Sequence, residues 1–392
     1  MKYKYSIVST CVLLALFAVS RARAAGTVGT SGATFLEYAI GSRALGMGEA
    51  FTAETDDINV LYFNPAGLGS LKYPQLALFH QELILESRLE NLTFCSPIKK
   101  FGYLGVANTI FWVPTFDKVD INGLDVGDIQ FYNGCLTVGY GYDFNYFYLG
   151  ASAKYIYQKI DTKMVHSFAM DIGILKGFRI WSPLDAPLRN FHIGLSVLNL
   201  GTKAMDSPLP RHIRLGFSYK PMNWLGLNVD LIENCIIAND LIDFTHGFNE
   251  SFRMNIGMEL SYLDLFYLRG GWRLNDTGTY TVGLGFNYVI KNVSFTIDAS
   301  FADAGDFNPI YSFNVTFKLI PKVVTIEDRR NAEGHYKRGI KSYVGDDIDG
   351  ALKEFKTTRD YNPYYKNIDK KIDDLEEIQD LKRQNKLEDE KK

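Results

Sequence analysis

The chain has 392 residues, with 42 Lys and Arg against 45 Asp and Glu and a formal net charge of -3. No excess of cations is left to neutralise phosphates, which excludes nucleic acid as the main partner. Aromatic residues make up 14%, beside 34 Gly and only 12 Pro, a balance that favours strands and tight turns over helices.

The N-terminus reads as an address. Lys2 and Lys4 give a positive start, Ile7 to Val19 an apolar run, and Ala22-Arg23-Ala24 a small-x-small cleavage site, so residues 1–24 are expected to be a signal peptide. Cys11 stands before most of the apolar run, where a lipoprotein would need it after. Cys95, Cys135 and Cys235 form neither a disulfide framework nor a metal site. Beyond residue 24 no run approaches the roughly 20 apolar residues of a spanning helix, so a membrane-spanning body has to be a barrel.

Residues 25–73 do not alternate. They carry Gly29-Thr30-Ser31-Gly32-Ala33-Thr34-Phe35-Leu36, then Gly41-Ser42-Arg43-Ala44-Leu45-Gly46-Met47-Gly48-Glu49-Ala50-Phe51, then Asp56-Asp57 and Tyr62-Phe63-Asn64-Pro65-Ala66-Gly67-Leu68. Gly41, Gly46 and Gly48 allow close backbone packing, Asn64 can form an Asx-turn, and Pro65 fixes a turn that Gly67 can complete with positive φ.

From residue 74 the dominant period is two. From Lys291, for example, Val293, Phe295, Ile297, Ala299 and Phe301 alternate with Ser294, Thr296, Asp298 and Ser300. Fourteen such segments are predicted: 74–82, 89–97, 101–112, 129–142, 146–158, 165–176, 190–199, 211–220, 225–232, 251–262, 265–274, 279–290, 293–302 and 310–319. Short connections follow segments two, four, eight, ten and twelve, whereas 113–128, 200–210 and 233–250 are expected to be long loops. An even strand count, alternating loop lengths and a polar face of Gly, Ser, Thr and Asn point to a transmembrane barrel over 74–320. A soluble sandwich would carry many more Lys and Glu on its open face.

If the apolar series faces lipid, the opposite series turns Lys154, Asp171, Arg214, Asp230, Arg253, Glu259, Arg269, Arg273 and Asp298 inward. These charges form either a salt-bridge lattice or, at Arg253, Glu259, Arg269 and Arg273, contacts to a carboxylate head group. Of the six His, only His166, His192 and His212 fall in strands beyond the first, without an evident catalytic partner. No catalytic constellation, cofactor or metal is therefore expected, and the chain reads as a non-enzyme.

The last 67 residues, 326–392, hold 33 of the 87 formal charges, which marks a boundary near Pro321 and a helical tail over 321–392. Gly339, Tyr343, Ala351, Leu352, Phe355 and Pro363 resemble one tetratricopeptide-like unit over 332–365. A helix is predicted over 366–386, with Ile372, Leu375 and Ile378 as an apolar stripe left for a protein partner.

The segment before the first strand resembles the N-terminal plug of FadL-type outer-membrane transporters, and more closely their PorV/PorQ-like relatives. That resemblance implies a plug or gate over 25–73 built on Gly41, Arg43, Gly46, Gly48, Asn64, Pro65, Ala66 and Gly67. It also implies a 14-stranded antiparallel barrel in the outer membrane with both termini periplasmic. The implied function is passive uptake of hydrophobic small molecules such as long-chain fatty acids, with membrane lipid around the wall. The PorV-like branch implies instead a non-transporting assembly or secretion component that binds a periplasmic or outer-membrane protein through its loops or tail. A plain transporter of this family ends at its last strand, so the tail departs from the pattern.

Overall fold

The computed structural model describes residues 31–98, 101–183, 186–187, 189–234, 252–274, 278–290, 292–305, 309–320 and 326–362, with scattered positions from 365 to 379. The expected signal peptide, Pro363 and most of 233–250 lie outside the described residues.

Alternation along the chain becomes a closed antiparallel barrel of fourteen strands. They are β1 (Gln75–Glu82), β2 (Arg88–Pro97), β3 (Tyr103–Val119), β4 (Asp125–Asp143), β5 (Tyr148–Ile160), β6 (Lys163–Phe178) and β7 (Phe191–Gly201), followed by β8 (His212–Met222), β9 (Leu225–Asn234), β10 (Arg253–Tyr262), β11 (Phe266–Leu274), β12 (Thr279–Ile290), β13 (Val293–Ala302) and β14 (Ile310–Leu319). β1 closes on β14 from Gln75 opposite Lys318 to Glu82 opposite Tyr311, so both ends of the barrel chain emerge on one side. Closure leaves no strand edge, the condition for a sheet to sit in hydrocarbon. Leu92, Phe94, Leu136, Val138, Ile172, Leu268 and Leu284 point outward and are exposed, an apolar belt that lipid can cover. Among the described residues no helix is long and apolar enough to cross a membrane.

The segment 113–128 is not the loop expected. β3 and β4 run on as a paired ribbon, with Phe116 opposite Ile129 and Asp117 opposite Asp128, and turn at Asp120, whose carboxylate accepts the Asn122 and Leu124 amides at 2.8 and 2.9 Å. A two-stranded ribbon beyond the lipid needs no apolar face, so its charges concealed the pairing. Loop 200–210 folds inward instead, burying Ala204 and Leu209 against Phe35, Cys135 and Ile156.

Inside the barrel lie two short helices, α1 (Ser42–Gly46) and α2 (Val60–Phe63), and tight 3-10 turns at Thr34–Glu37 and Pro65–Ser70. Their apolar side chains, with Phe51, Phe63, Leu61, Leu68 and Met47 almost wholly buried, make up most of the core. In this barrel the hydrophobic core is the plug.

The tail is a second compact unit. In it α3 (Ile326–Val344) and α4 (Ile348–Tyr361) pack as a pair. Asp346 takes the left-handed turn, and the Asp347 side chain caps α4 by accepting the Gly350 amide at 2.9 Å. A side-chain carbon at Gly339 would lie 2.6 Å from the Phe355 ring, so only glycine lets that ring rest on α3. Gly339→Ala is expected to separate the pair, seen as faster amide exchange in 330–361 of the full-length protein with barrel amides unchanged. The described positions from 368 to 379 are helical. They correct the expected open stripe: Ile372 and Leu375 are buried with Ile348, Leu352 and Phe355, and Ile378 packs on the same cluster. The third segment folds back on the pair and uses its apolar face there. Burial would raise the Glu354 carboxyl, but hydrogen bonds from His335 (2.7 Å) and Arg338 (3.1 Å) prevail and hold it below its ordinary value. Its contribution is therefore present above the ordinary carboxylate range and lost as pH falls through the lowered value.

Candidate functional site

The site is the boundary between plug and wall. Gly41, with φ of 101°, turns the chain into α1, because a side chain there would meet Asn59. The turn aims Arg43 at three carboxylates. Its guanidinium donates to Glu259 at 2.8 and 2.9 Å, to Asp57 at 3.1 Å and to Glu54 at 3.1 Å. Glu259 also accepts from Arg269 at 2.7 Å, and Arg269 continues to Asp298 at 2.7 Å. Glu54 is bound besides by Ser218, Asn228 and Lys220. Seven charged side chains from plug and wall thus form one latch, in which Arg43 is the plug's only cation.

A second anchor is Asp230 on β9. Its carboxylate accepts the Phe51 and Thr52 amides at 3.0 and 2.9 Å and the Thr52 hydroxyl at 2.6 Å, while Arg214 donates to it at 3.1 Å. Arg273 reaches Glu49 of the plug at 2.8 Å.

Between these anchors the two backbones touch. A side-chain carbon at Gly46 would lie 2.9 Å from the Gly283 Cα, and one at Gly48, whose φ is 63°, would lie 2.8 Å from the Trp272 amide nitrogen. On the wall, Gly150 faces the Pro65–Ala66 peptide inside contact distance, Gly141, Gly194, Gly257 and Gly271 meet the plug backbone in the same way, and Gly139 meets the Leu61 side chain. Asn64 caps the Pro65–Ser70 turn by accepting the Ala66 amide at 3.1 Å, and its amide donates to Thr52 O and to Ile174 O of β6. Gly67 corrects one expectation. Its φ is not positive; glycine stands there because a side-chain carbon would lie 2.7 Å from the Val60 Cβ.

Of the residues expected from the sequence, Arg43, Gly46, Gly48, Asn64, Pro65 and Ala66 contact the wall, whereas Gly41 and Gly67 pack within the segment against Asn59 and Val60. The lumen charges Glu259, Arg269 and Arg273 are occupied by the plug or by each other, which corrects the head-group reading for them: Arg269 is 3% exposed between two carboxylates. Arg253 instead lines the cavity described below. Sequence reasoning missed the wall glycines and the plug acids Glu49 and Glu54. The one available signal was the recurrence of Gly at lumen-facing strand positions, as in Gly139-Tyr140-Gly141 and Gly283-Leu284-Gly285.

Above the seam, residues 35–40 cover a cavity of about 50 Å³, lined by Phe35, Tyr38, Tyr62, Phe63, Lys154, His212, Arg214 and Arg253 among others. That is room for water, well short of the roughly 300 Å³ at which drug-sized pockets begin. Its cover is mostly apolar: Phe35 stacks on Phe111 at 6.3 Å, and Gly32 donates one backbone bond to Pro208 O at 2.8 Å. Among the described residues no cluster of His, Cys, Asp or Glu could hold a metal ion.

Several solved barrels are similar in fold. The toluene transporters TbuX of Ralstonia pickettii and TodX of P. putida are 12% and 10% identical, with TM-scores of 0.48; they cover 71% and 73% of this chain, which in turn covers 98% of each. A Pseudomonas aeruginosa FadL homologue is 10% identical with a TM-score of 0.40, covering 71% of this chain and matched over 96% of its own. Among curated proteins, a UPF0164 protein of Treponema pallidum (strain Nichols) is 26% identical over 208 residues, 48% of this chain and 49% of that protein. The chain thus spans about half the length of the curated relative it matches. The family model described as "Uncharacterised protein family (UPF0164)" matches residues 18–315, essentially the plug and the barrel, and the chain accordingly belongs to UPF0164.

Proposed function

We propose that this protein is an outer-membrane barrel that admits hydrophobic small molecules, with long-chain fatty acids the class the plug motif implies, and that the conformation described is its closed state. The observation that carries the reading is the contrast between the two closures of the lumen. The cover over the cavity, residues 31–40, is held by aromatic contact and few polar bonds, which an apolar ligand can replace. Beneath it the polar lining includes Lys154, held by Asp171 at 2.9 Å, and Arg214, held by Asp230 at 3.1 Å, so an amphipathic guest would have to share these cations with their carboxylates. The lower seam is latched by charge and has to open for passage. On this reading the side from which both barrel ends emerge faces the periplasm.

A second reading is a non-transporting assembly or secretion component that binds a protein through its loops or tail. Backbone packed on backbone along the seam favours a fixed plug.

A reversible lock separates the two. The Ser42 and Ser312 hydroxyls lie 2.8 Å apart, so Ser42→Cys with Ser312→Cys should bridge plug and wall. Uptake of a fluorescent fatty acid into cells carrying the oxidised double variant is expected to fall about tenfold and return on reduction, a closed gate leaving only leak. Equal uptake with the bridge formed would show that the plug does not move. No uptake by the unaltered protein either would favour the second reading.

A further inference from the structure

Strand register places a row of outward-facing side chains side by side near the long-loop end of the wall. Arg88 stands opposite Trp112, Trp112 opposite Tyr132, Tyr132 opposite Lys159, and Lys159 opposite Met164. The two cations lean inward over the two rings: the Arg88 guanidinium is 5.6 Å from the Trp112 ring centre and Lys159 Nζ is 5.9 Å from that of Tyr132. Three strand spacings separate the ends of this run, about 14 Å of backbone, and the inward lean narrows that gap at the charges.

Neither cation enters an ion pair among the described residues, although acids are close. Glu82 lies opposite Arg88 yet outside ion-pair distance of it; Glu90, two positions on, is held by His80 at 2.6 Å; and Asp161 is held by Lys118 at 2.8 Å. Directly below the row the wall has a notch. Gly134 sits between Ile110 and Tyr157 across the sheet, and a side-chain carbon there would meet only the Thr109 carbonyl oxygen, at 3.7 Å. Its neighbours Ile110, Tyr132, Leu136 and Tyr157 make the notch apolar on every side.

We propose that this sector of β2 to β5 is a binding site for one phosphate-bearing membrane lipid. Arg88 and Lys159 clamp its head group at the interface, Trp112 and Tyr132 form the shelf beneath it, and an acyl chain lies in the Gly134 notch. Trp and Tyr belong at this depth, where rings meet head groups, and cations placed there attract anionic lipid. The solvent-facing charge and the lipid-facing notch are stacked in the order of a phospholipid's own parts, which a freely soluble phosphate would not require. The inference does not depend on transport.

The test uses full-length protein purified from mixed micelles holding equal parts of phosphatidylglycerol and phosphatidylcholine, with retained lipid counted by native mass spectrometry. The unaltered protein is expected to keep phosphatidylglycerol preferentially. Arg88→Gln with Lys159→Gln should cut that preference about ten- to thirtyfold, the effect of two cations near a membrane surface. Gly134→Leu should lower retention of both lipids by filling the notch. Lys176→Gln, at the opposite end of β6 beside Phe178, should change nothing. An undiminished preference in the double variant overturns the proposal. So does displacement of the lipid by millimolar inorganic phosphate, which would make the site one for a free anion.

Discussion

Replacing Arg43 with Met should unseat the plug while leaving the barrel closed. The variant removes the only cation the plug contributes to the latch, and Glu54, Asp57 and Glu259 are left sharing what remains. Breaking a buried ion pair from one side costs about 3–5 kcal/mol. Here the lower end applies, because Lys220 still reaches Glu54 at 3.4 Å and Arg269 still reaches Glu259 at 2.7 Å. A plug that loses about 3 kcal/mol at its charged latch should open for a measurable fraction of the time. Planar-bilayer recordings should show conductance steps that the unaltered protein lacks, and amide exchange in 42–70 should accelerate. Arg43→Lys should recover only part of the closure, since a single ammonium cannot reproduce a guanidinium fork on three carboxylates. A silent bilayer and unchanged exchange in Arg43→Met would mean that the glycine seam alone seats the plug.

Gly150→Val tests the seam from the wall side. The new side chain would project into the Pro65–Ala66 peptide, and the opposing atoms are backbone, which cannot rotate away. Overpacking of this kind costs about 1–3 kcal/mol or more. In a strand, valine is otherwise the better residue, so the heat-resistant barrel band on gels should persist. Residues 60–72 should become open to protease, and solute leak should rise. A protected plug with valine in place would mean that the wall shifts to accommodate it, and would argue against a tightly fixed seam. The Arg43 and Gly150 variants act on different anchors, so their double variant should leak more than either alone.

The barrel was legible because lipid and lumen demand opposite chemistry at successive residues, and fourteen segments kept that period. The ribbon of 113–128 was not legible, since beyond the bilayer nothing forces Asp117, Lys118 or Asp128 to alternate with apolar neighbours. In the plug, Arg43 and Asn64 stood out through a motif, but their partners on the wall lie more than a hundred residues away: Glu259 for Arg43 and Ile174 for Asn64. No local pattern relates them. Gly150 and Gly271 read in sequence as small lumen residues, and only the plug pressed against them explains why Ala would not serve. The tail stripe misled for the opposite reason. Ile372 and Leu375 show correct helical spacing, but spacing cannot say whether the covering surface belongs to a partner or to Phe355 of the same unit.

The glycine seam also dictates an order of assembly. Ser42 bonds Ser312 across 270 positions of chain, and Met47 rests on Gly257 at a distance that leaves no path for a side chain to slide through. A wall already zipped from β1 to β14 could not then take the plug in. The first-synthesised segment must wait, exposed, until the last strands arrive and fold around it. Such distant pairings are slow to form, and the waiting segment carries Phe51, Leu61, Phe63 and Leu68, apolar groups that will be buried only at the end. Folding of this barrel therefore amounts to casting a shell on a mould. A chain deprived of 31–73 would close, if at all, around an empty centre in which Asp230 keeps only Arg214 and Glu259 only Arg269, with nothing to fill it.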